Sequence, residues 1–178
     1  MKNILIKGLL FGLITMTSFS YGQNCFCVSG TKDKEKGIET VGGVTNTRDY
    51  YSLLTQKIMN YRDTTEPNKY RFLYNVASKV LLSDSILNTT GTVELKLLDN
   101  TTILIDNVEY QNNPLGPCCT LGFWFYTTEE IIKNLSTNPI ESISVKNILG
   151  PSIFTKKRQK EQMKIFKCLL IRKPKGQD

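Results

Sequence analysis

Two periodicities divide this chain. From Tyr70 the apolar residues recur at every second position. Tyr70, Phe72, Tyr74 and Val76 alternate with Arg71, Leu73, Asn75 and Ala77, which predicts a β-strand. Val93, Leu95 and Leu97 alternate with Glu94 and Lys96, Asp99-Asn100 is a turn pair, and Thr102 to Asp106 returns. That is the pattern of a β-hairpin. Ile143 and Val145, set between Ser142, Ser144 and Lys146, predict a further strand. Leu121 to Tyr126 is an unbroken apolar and aromatic run, the signature of a central strand covered on both faces. On that reading Trp124 and its neighbours Phe123, Phe125 and Tyr126 belong to the core. Residues 110–119 contain Asn112-Asn113-Pro114 and Gly116-Pro117 and predict a loop.

A period near 3.6 governs three other stretches. Tyr51, Leu54, Ile58 and Tyr61 share one helical face, so residues 48–61 predict a helix with Thr47 as N-cap. Thr127-Thr128-Glu129-Glu130 fits a capping box with Thr127 as N-cap, opening a helix that ends near Leu135, before Asn138-Pro139. The last helix covers Lys156 to Leu170. At 100° per residue, Met163, Ile165, Phe166, Leu169 and Leu170 fall on one arc, and Lys157, Lys160, Lys164 and Lys167 on the next. Cys168 lies at the far edge of the basic arc. Strands joined by tight turns, with helices around them, predict an α+β fold. It is an antiparallel sheet of about five strands with two or three helices packed on it, stabilised by disulfides.

Hydropathy also organises the chain as a whole. Met1-Lys2-Asn3, the apolar stretch Ile4 to Phe19 and the small-x-small end Ser20-Tyr21-Gly22 form the three parts of a secretory signal peptide. Residues 1–22 are therefore assigned to a cleaved signal and 23–47 to a loosely structured lead-in. A single domain follows over 48–171, and 172–178 are a basic tail. The expected location is extracytoplasmic, periplasmic or secreted, with no transmembrane segment in the mature chain.

The net charge of +7 changes this picture in one respect. Residues 156–178 hold nine Lys/Arg against two acids, whereas residues 23–155 hold twelve against fourteen. A nucleic-acid-binding surface spreads its cations over one face of a fold. Here they are concentrated at the C-terminal end, so no specific nucleic-acid binding is expected. Lys157, Lys160, Lys164 and Lys167 are the candidate contacts for an anionic surface or an acidic envelope protein.

Five cysteines lie beyond the signal: Cys25, Cys27, Cys118, Cys119 and Cys168. In an oxidising compartment disulfides are the default, and the odd count leaves one thiol over. The expected pattern joins Cys25 or Cys27 to one of Cys118/Cys119 and the other of that pair to Cys168. A soft metal held by thiolates is the rival reading, but the spacing is not that of a zinc finger.

The chain has no histidine, which excludes the Ser–His–acid triad and the Cys–His pair. It has no Walker loop and no Gly-x-Gly-x-x-Gly, so no cofactor is expected. Asp84, Asp99, Asp106 and Glu109 are the carboxylates from which a glycosidase-like pair would have to come. Turn and loop positions account for Asp84 and Asp99. The functional expectation is a secreted or periplasmic, non-catalytic binding module. Its rivals are a small carboxylate-dependent extracytoplasmic hydrolase and a structural cell-envelope component.

Overall fold

The computed structural model describes residues 25, 28–63, 65–78, 82–115 and 118–173; the predicted signal segment 1–22 lies outside them. Nine strands and three helices follow one another as β1 (Ser29–Asp33), β2 (Ile38–Asn46), β3 (Ser52–Asn60), β4 (Lys69–Ser78), α1 (Asp84–Leu87), β5 (Gly91–Leu97), β6 (Thr102–Leu115), β7 (Cys118–Thr127), α2 (Glu129–Leu135), β8 (Ile140–Val145), β9 (Leu149–Ile153) and α3 (Lys156–Ile171). All nine strands form one sheet in the order β1-β2-β3-β4-β7-β6-β5-β8-β9, and every pairing described is antiparallel. The α+β expectation of about five strands is thus overturned. The molecule is mostly sheet, and its helices are few.

Four strands exceed the expected number, β1, β2, β3 and β9, and two expected ones are longer. Residues 38–46 and 52–60, expected as lead-in and helix, form β2 and β3, paired from Ile38–Asn60 to Asn46–Ser52. Their inward positions carry Glu39, Thr45, Thr55 and Lys57 beside Val41, Leu53 and Met59, all buried. The strand alternation is present, but polar residues on the inner face disguise it. Of residues 110–119, expected as a loop, residues 110–115 are instead the end of β6 and residues 118–119 the start of β7, and the two strands pair in register from Tyr110–Phe123 to Leu115–Cys118. Residues 29–33 add β1 as an edge strand beside β2. Gly37, with φ of 69°, makes the left-handed turn between β1 and β2 that an L side chain resists.

The fourteen-residue β6 serves two neighbours. Its residues 102–105 and 108 pair with β5 and its residues 109–115 with β7. Asn107, with φ of 59°, lies just before this change of partner. The sheet curves enough to bring its far end back across the fold, because Arg48 N, after β2, donates to Ile153 O at the end of β9 (2.7 Å). Helix α3 lies inside this curve and packs on β2, β3, β8 and α2.

The core is the inner face of the sheet closed by α3. Tyr70, Phe72, Tyr74 and Val76 of β4 face Leu121, Phe123 and Phe125 of β7, all buried. Phe72 stacks on Phe125 with centroids 5.0 Å apart and meets Phe166 of α3 edge-on at 6.1 Å. Such offset and edge-to-face contacts add to the burial gain of each ring. The capping box is displaced by one residue: Thr128, not Thr127, caps α2, its hydroxyl accepting from Ile131 N at 3.3 Å. No helix among the described residues is long and apolar enough to cross a membrane.

Candidate functional site

The C-terminal helix supplies the first candidate surface. Thr155 caps it, and its docked side is both apolar and polar. Ile165, Phe166 and Leu169 are buried. Buried Gln162 accepts from Ile140 N through Oε1 (3.2 Å), and buried Gln159 donates through Nε2 to Phe154 O (3.1 Å). Both glutamines therefore tie α3 to backbone groups beside β8 and β9. On the opposite side Lys157, Lys160, Lys164 and Lys167 are all exposed. None of the four has an ion-pair partner among the described residues, whereas Arg158 is held by Glu161 at 2.7 Å.

A disulfide fixes the last turns of this helix. Cys25 is bonded to Cys168 across 143 positions of sequence, with Cα atoms 5.4 Å apart. This corrects the expected pattern, in which Cys168 was joined to Cys118 or Cys119. Cys25 leads into β1, β1 pairs with β2, and α3 lies over β2, so the sheet delivers the two cysteines to one place. Of the other candidates, Cys27 lies outside the described residues. Cys118 and Cys119 sit in β7 with backbone partners Leu115 and Pro114. Oxidation of Cys25 and Cys168 also removes both from any thiolate metal set, and no cluster of metal-ligating side chains occurs among the described residues.

The end of α3 meets a buried lysine. Lys57 Nζ donates to Arg172 O at 2.9 Å, placing a cation at the negative end of the helix. Burial pushes the Lys57 ammonium below its ordinary range, and the Glu129 carboxylate partly restores it. Glu129 accepts from the Tyr70 hydroxyl (3.3 Å) and pairs with Lys133 (3.1 Å). The Lys133 ammonium holds Glu129 below the usual carboxylate range, with help from Tyr70 and Lys57. A carboxyl stabilised as its anion is a poor general acid at neutral pH. The carboxylates singled out from sequence are dispersed. Asp84 opens α1, and Asp106 accepts from Thr92 Oγ1 (2.6 Å). Asp99 sits in the hairpin turn, where the Asn138 side chain and Thr101 hold it low. Glu109 is on the outer face of the sheet.

That outer face holds what the sequence reading missed. β7 is covered on one side only. Leu121, Phe123 and Phe125 point inward, while Trp124 is half-buried and Tyr126 is 55% exposed on the other side. Trp124 stands opposite Leu73 of β4 and Glu109 of β6, and Tyr126 stands opposite Arg71. The Arg71 guanidinium lies over the Trp124 ring, 4.5 Å from its centroid. Its Nε and Nη2 both donate to Gln56 Oε1 at 3.1 and 2.7 Å. The indole N–H donates to Gln111 Oε1 at 3.0 Å. Arg71, Glu109, Tyr110, Gln111, Trp124 and Tyr126 line an open cleft of about 360 Å³. The strict alternation of Gly122, Trp124 and Tyr126 against Leu121, Phe123 and Phe125 is the sequence signal that separates the two faces.

Comparison of the chain with protein-family models, with curated proteins and with solved structures finds no match.

Proposed function

We propose that this chain is an extracytoplasmic, non-catalytic binding domain that meets an anionic surface through the lysine ridge of α3. The observation that carries the reading is the ridge itself. Lys157, Lys160, Lys164 and Lys167 project from the free side of a helix whose other side is docked and whose end is disulfide-bonded to the N-terminal segment. A rigid row of cations sums its attraction, at about 1 kcal/mol per lysine close to an anionic membrane. The disulfide supports the location, since such bridges persist in oxidising compartments. The signal-like layout of residues 1–22 supports it independently. The short edge strand β1, with Lys32 and Asp33 exposed, is poorly suited to the edge-to-edge pairing a structural polymer would need.

Sedimentation with vesicles tests the proposal. The wild-type chain is expected to bind phosphatidylglycerol-containing vesicles and release them as salt is raised. The variant with all four lysines changed to Gln is expected to bind at least a hundredfold more weakly. Equal binding by the variant removes the ridge as the contact. Intact-mass analysis of the exported protein is expected to show residue 23 as the first residue; a retained Met1 would refute cleavage.

A further inference from the structure

We propose that the cleft around Trp124, on the outer face of the sheet, is a binding site for a neutral saccharide. The inference is independent of the lysine ridge, because α3 covers the inner face and the cleft opens on the opposite one. The chemistry of the lining selects the ligand class. Tyr126, 55% exposed, and the part of the half-buried Trp124 ring that the Arg71 guanidinium does not cover offer aromatic surface to the C–H face of a pyranose ring, which is apolar and favours the electron-rich face of an aromatic system. Around them stand planar polar groups suited to vicinal hydroxyls: the Arg71 guanidinium as donor, the Glu109 carboxylate as acceptor, and the Gln111 amide as either. Arg71 and Glu109 place one positive and one negative charge in the same cleft, and neither has an ion-pair partner among the described residues. A ligand carrying net charge would be attracted by one and repelled by the other, so a neutral one fits both.

Three features show that the arrangement is held in place before any ligand arrives. Gln56 fixes Arg71 through two donors on one oxygen, the indole ring backs the guanidinium, and Gln111 orients the indole through its N–H. Binding then costs little side-chain ordering. The cleft is open to solvent, which suits a sugar ring better than an enclosed apolar ligand.

The test uses the only tryptophan of the chain. Because it lies in the cleft, its fluorescence reports occupancy directly. The full mature protein is titrated with a panel of neutral hexose, pentose and N-acetylhexosamine oligosaccharides, with oligogalacturonate as the charged comparator. A saturable emission change is expected with a neutral member. It should weaken about tenfold or more in Arg71→Ala and in Gln111→Ala, both checked for an unchanged urea midpoint. The quadruple Lys→Gln variant should bind that saccharide as the wild type does. Two outcomes overturn the proposal. One is emission unmoved by every neutral oligosaccharide at millimolar concentration, or moved equally in the Arg71 and Gln111 variants. The other is a response to oligogalacturonate alone that disappears in the lysine variant, which assigns sugar contact to the ridge.

Discussion

Strands β4 and β7 present two faces built from alternate residues of the same two segments, and the faces differ in kind. Inward, Phe72 packs on Phe125 and on Phe166 of α3, and Tyr74 packs on Phe123. Outward, Arg71, Trp124 and Tyr126 surround a cleft, and the indole N–H is met by a glutamine. Both faces are rich in aromatic surface. What separates them is the company each ring keeps: rings on the inner face have ring neighbours, while Trp124 has a cation over its ring and an amide at its N–H. Aromatic content therefore says little about burial in a strand; the parity of the position, and what covers that side of the sheet, decide it.

Large-to-small substitutions test this difference most severely. Phe72→Ala and Phe166→Ala each remove a fully buried ring and should cost about 3–5 kcal/mol in urea unfolding. Trp124→Ala removes a larger ring from the outer face and should cost on the order of 1 kcal/mol. A Trp124→Ala cost equal to that of Phe72→Ala would make the outer face a second core and break the comparison. Next in size is the Cys25–Cys168 bridge. Its reduction should lower stability by about 2–5 kcal/mol, and a peptide map of the unreduced protein should show the two cysteine peptides linked.

Alkaline titration sharpens the contrast from another side. Burial raises the ionisation of the inner-face hydroxyls of Tyr70 and Tyr74 well above the ordinary tyrosine range, and Glu129 adds to the effect at Tyr70. The folded protein keeps these protons longer than the unfolded chain does. Their stabilising contribution is intact below the unfolded value of about 10 and is lost as the pH climbs above it. Lys57 acts oppositely. Its lowered pKa means the folded state sheds that proton first, so its burial penalty is relieved as the pH approaches the unfolded value of about 10.4. The urea midpoint should therefore fall above about pH 10, and less steeply in Tyr70→Phe. An unchanged slope in that variant would remove Tyr70 as a source. The smallest effect is expected from the ridge. Changing Lys157, Lys160, Lys164 and Lys167 to Gln should move stability by less than about 0.5 kcal/mol, since exposed, unpaired charges contribute little.

The parts legible in the sequence are those whose pattern is local. The hairpin of β5 with β6 shows in the alternation about Val93, Leu95 and Leu97 and in Asp99-Asn100, where Asn100 takes the left-handed conformation. Helix α3 shows in its two arcs. β3 was hidden because its inner face carries Thr55 and Lys57. The buried Lys57 is satisfied by a partner 115 positions away, donating to Arg172 O. The end of β6 was hidden by Pro114 and its asparagines, which read as loop residues. The cleft was hidden for a different reason. Residue 71, residues 109–111 and residues 124–126 meet only because β7 inserts between β4 and β6, and no spacing in the chain announces that insertion.

The order of the sheet also bears on how fast the molecule can form. Six of its eight pairings join strands that follow one another in sequence; β4 with β7 and β5 with β8 do not. The two meanders, β1 to β4 and β5 to β7, can each close from local contacts, which form early. Joining them brings Tyr70 to Thr127 and Ser78 to Cys119, and it carries the larger loop-closure entropy. Until that pairing forms, β4 is an open edge presenting Tyr70, Phe72, Tyr74 and Val76. An unpaired apolar edge is the part of a folding chain most prone to capture by a second copy. The arrival of β7 should therefore set both the folding rate and the yield at high concentration.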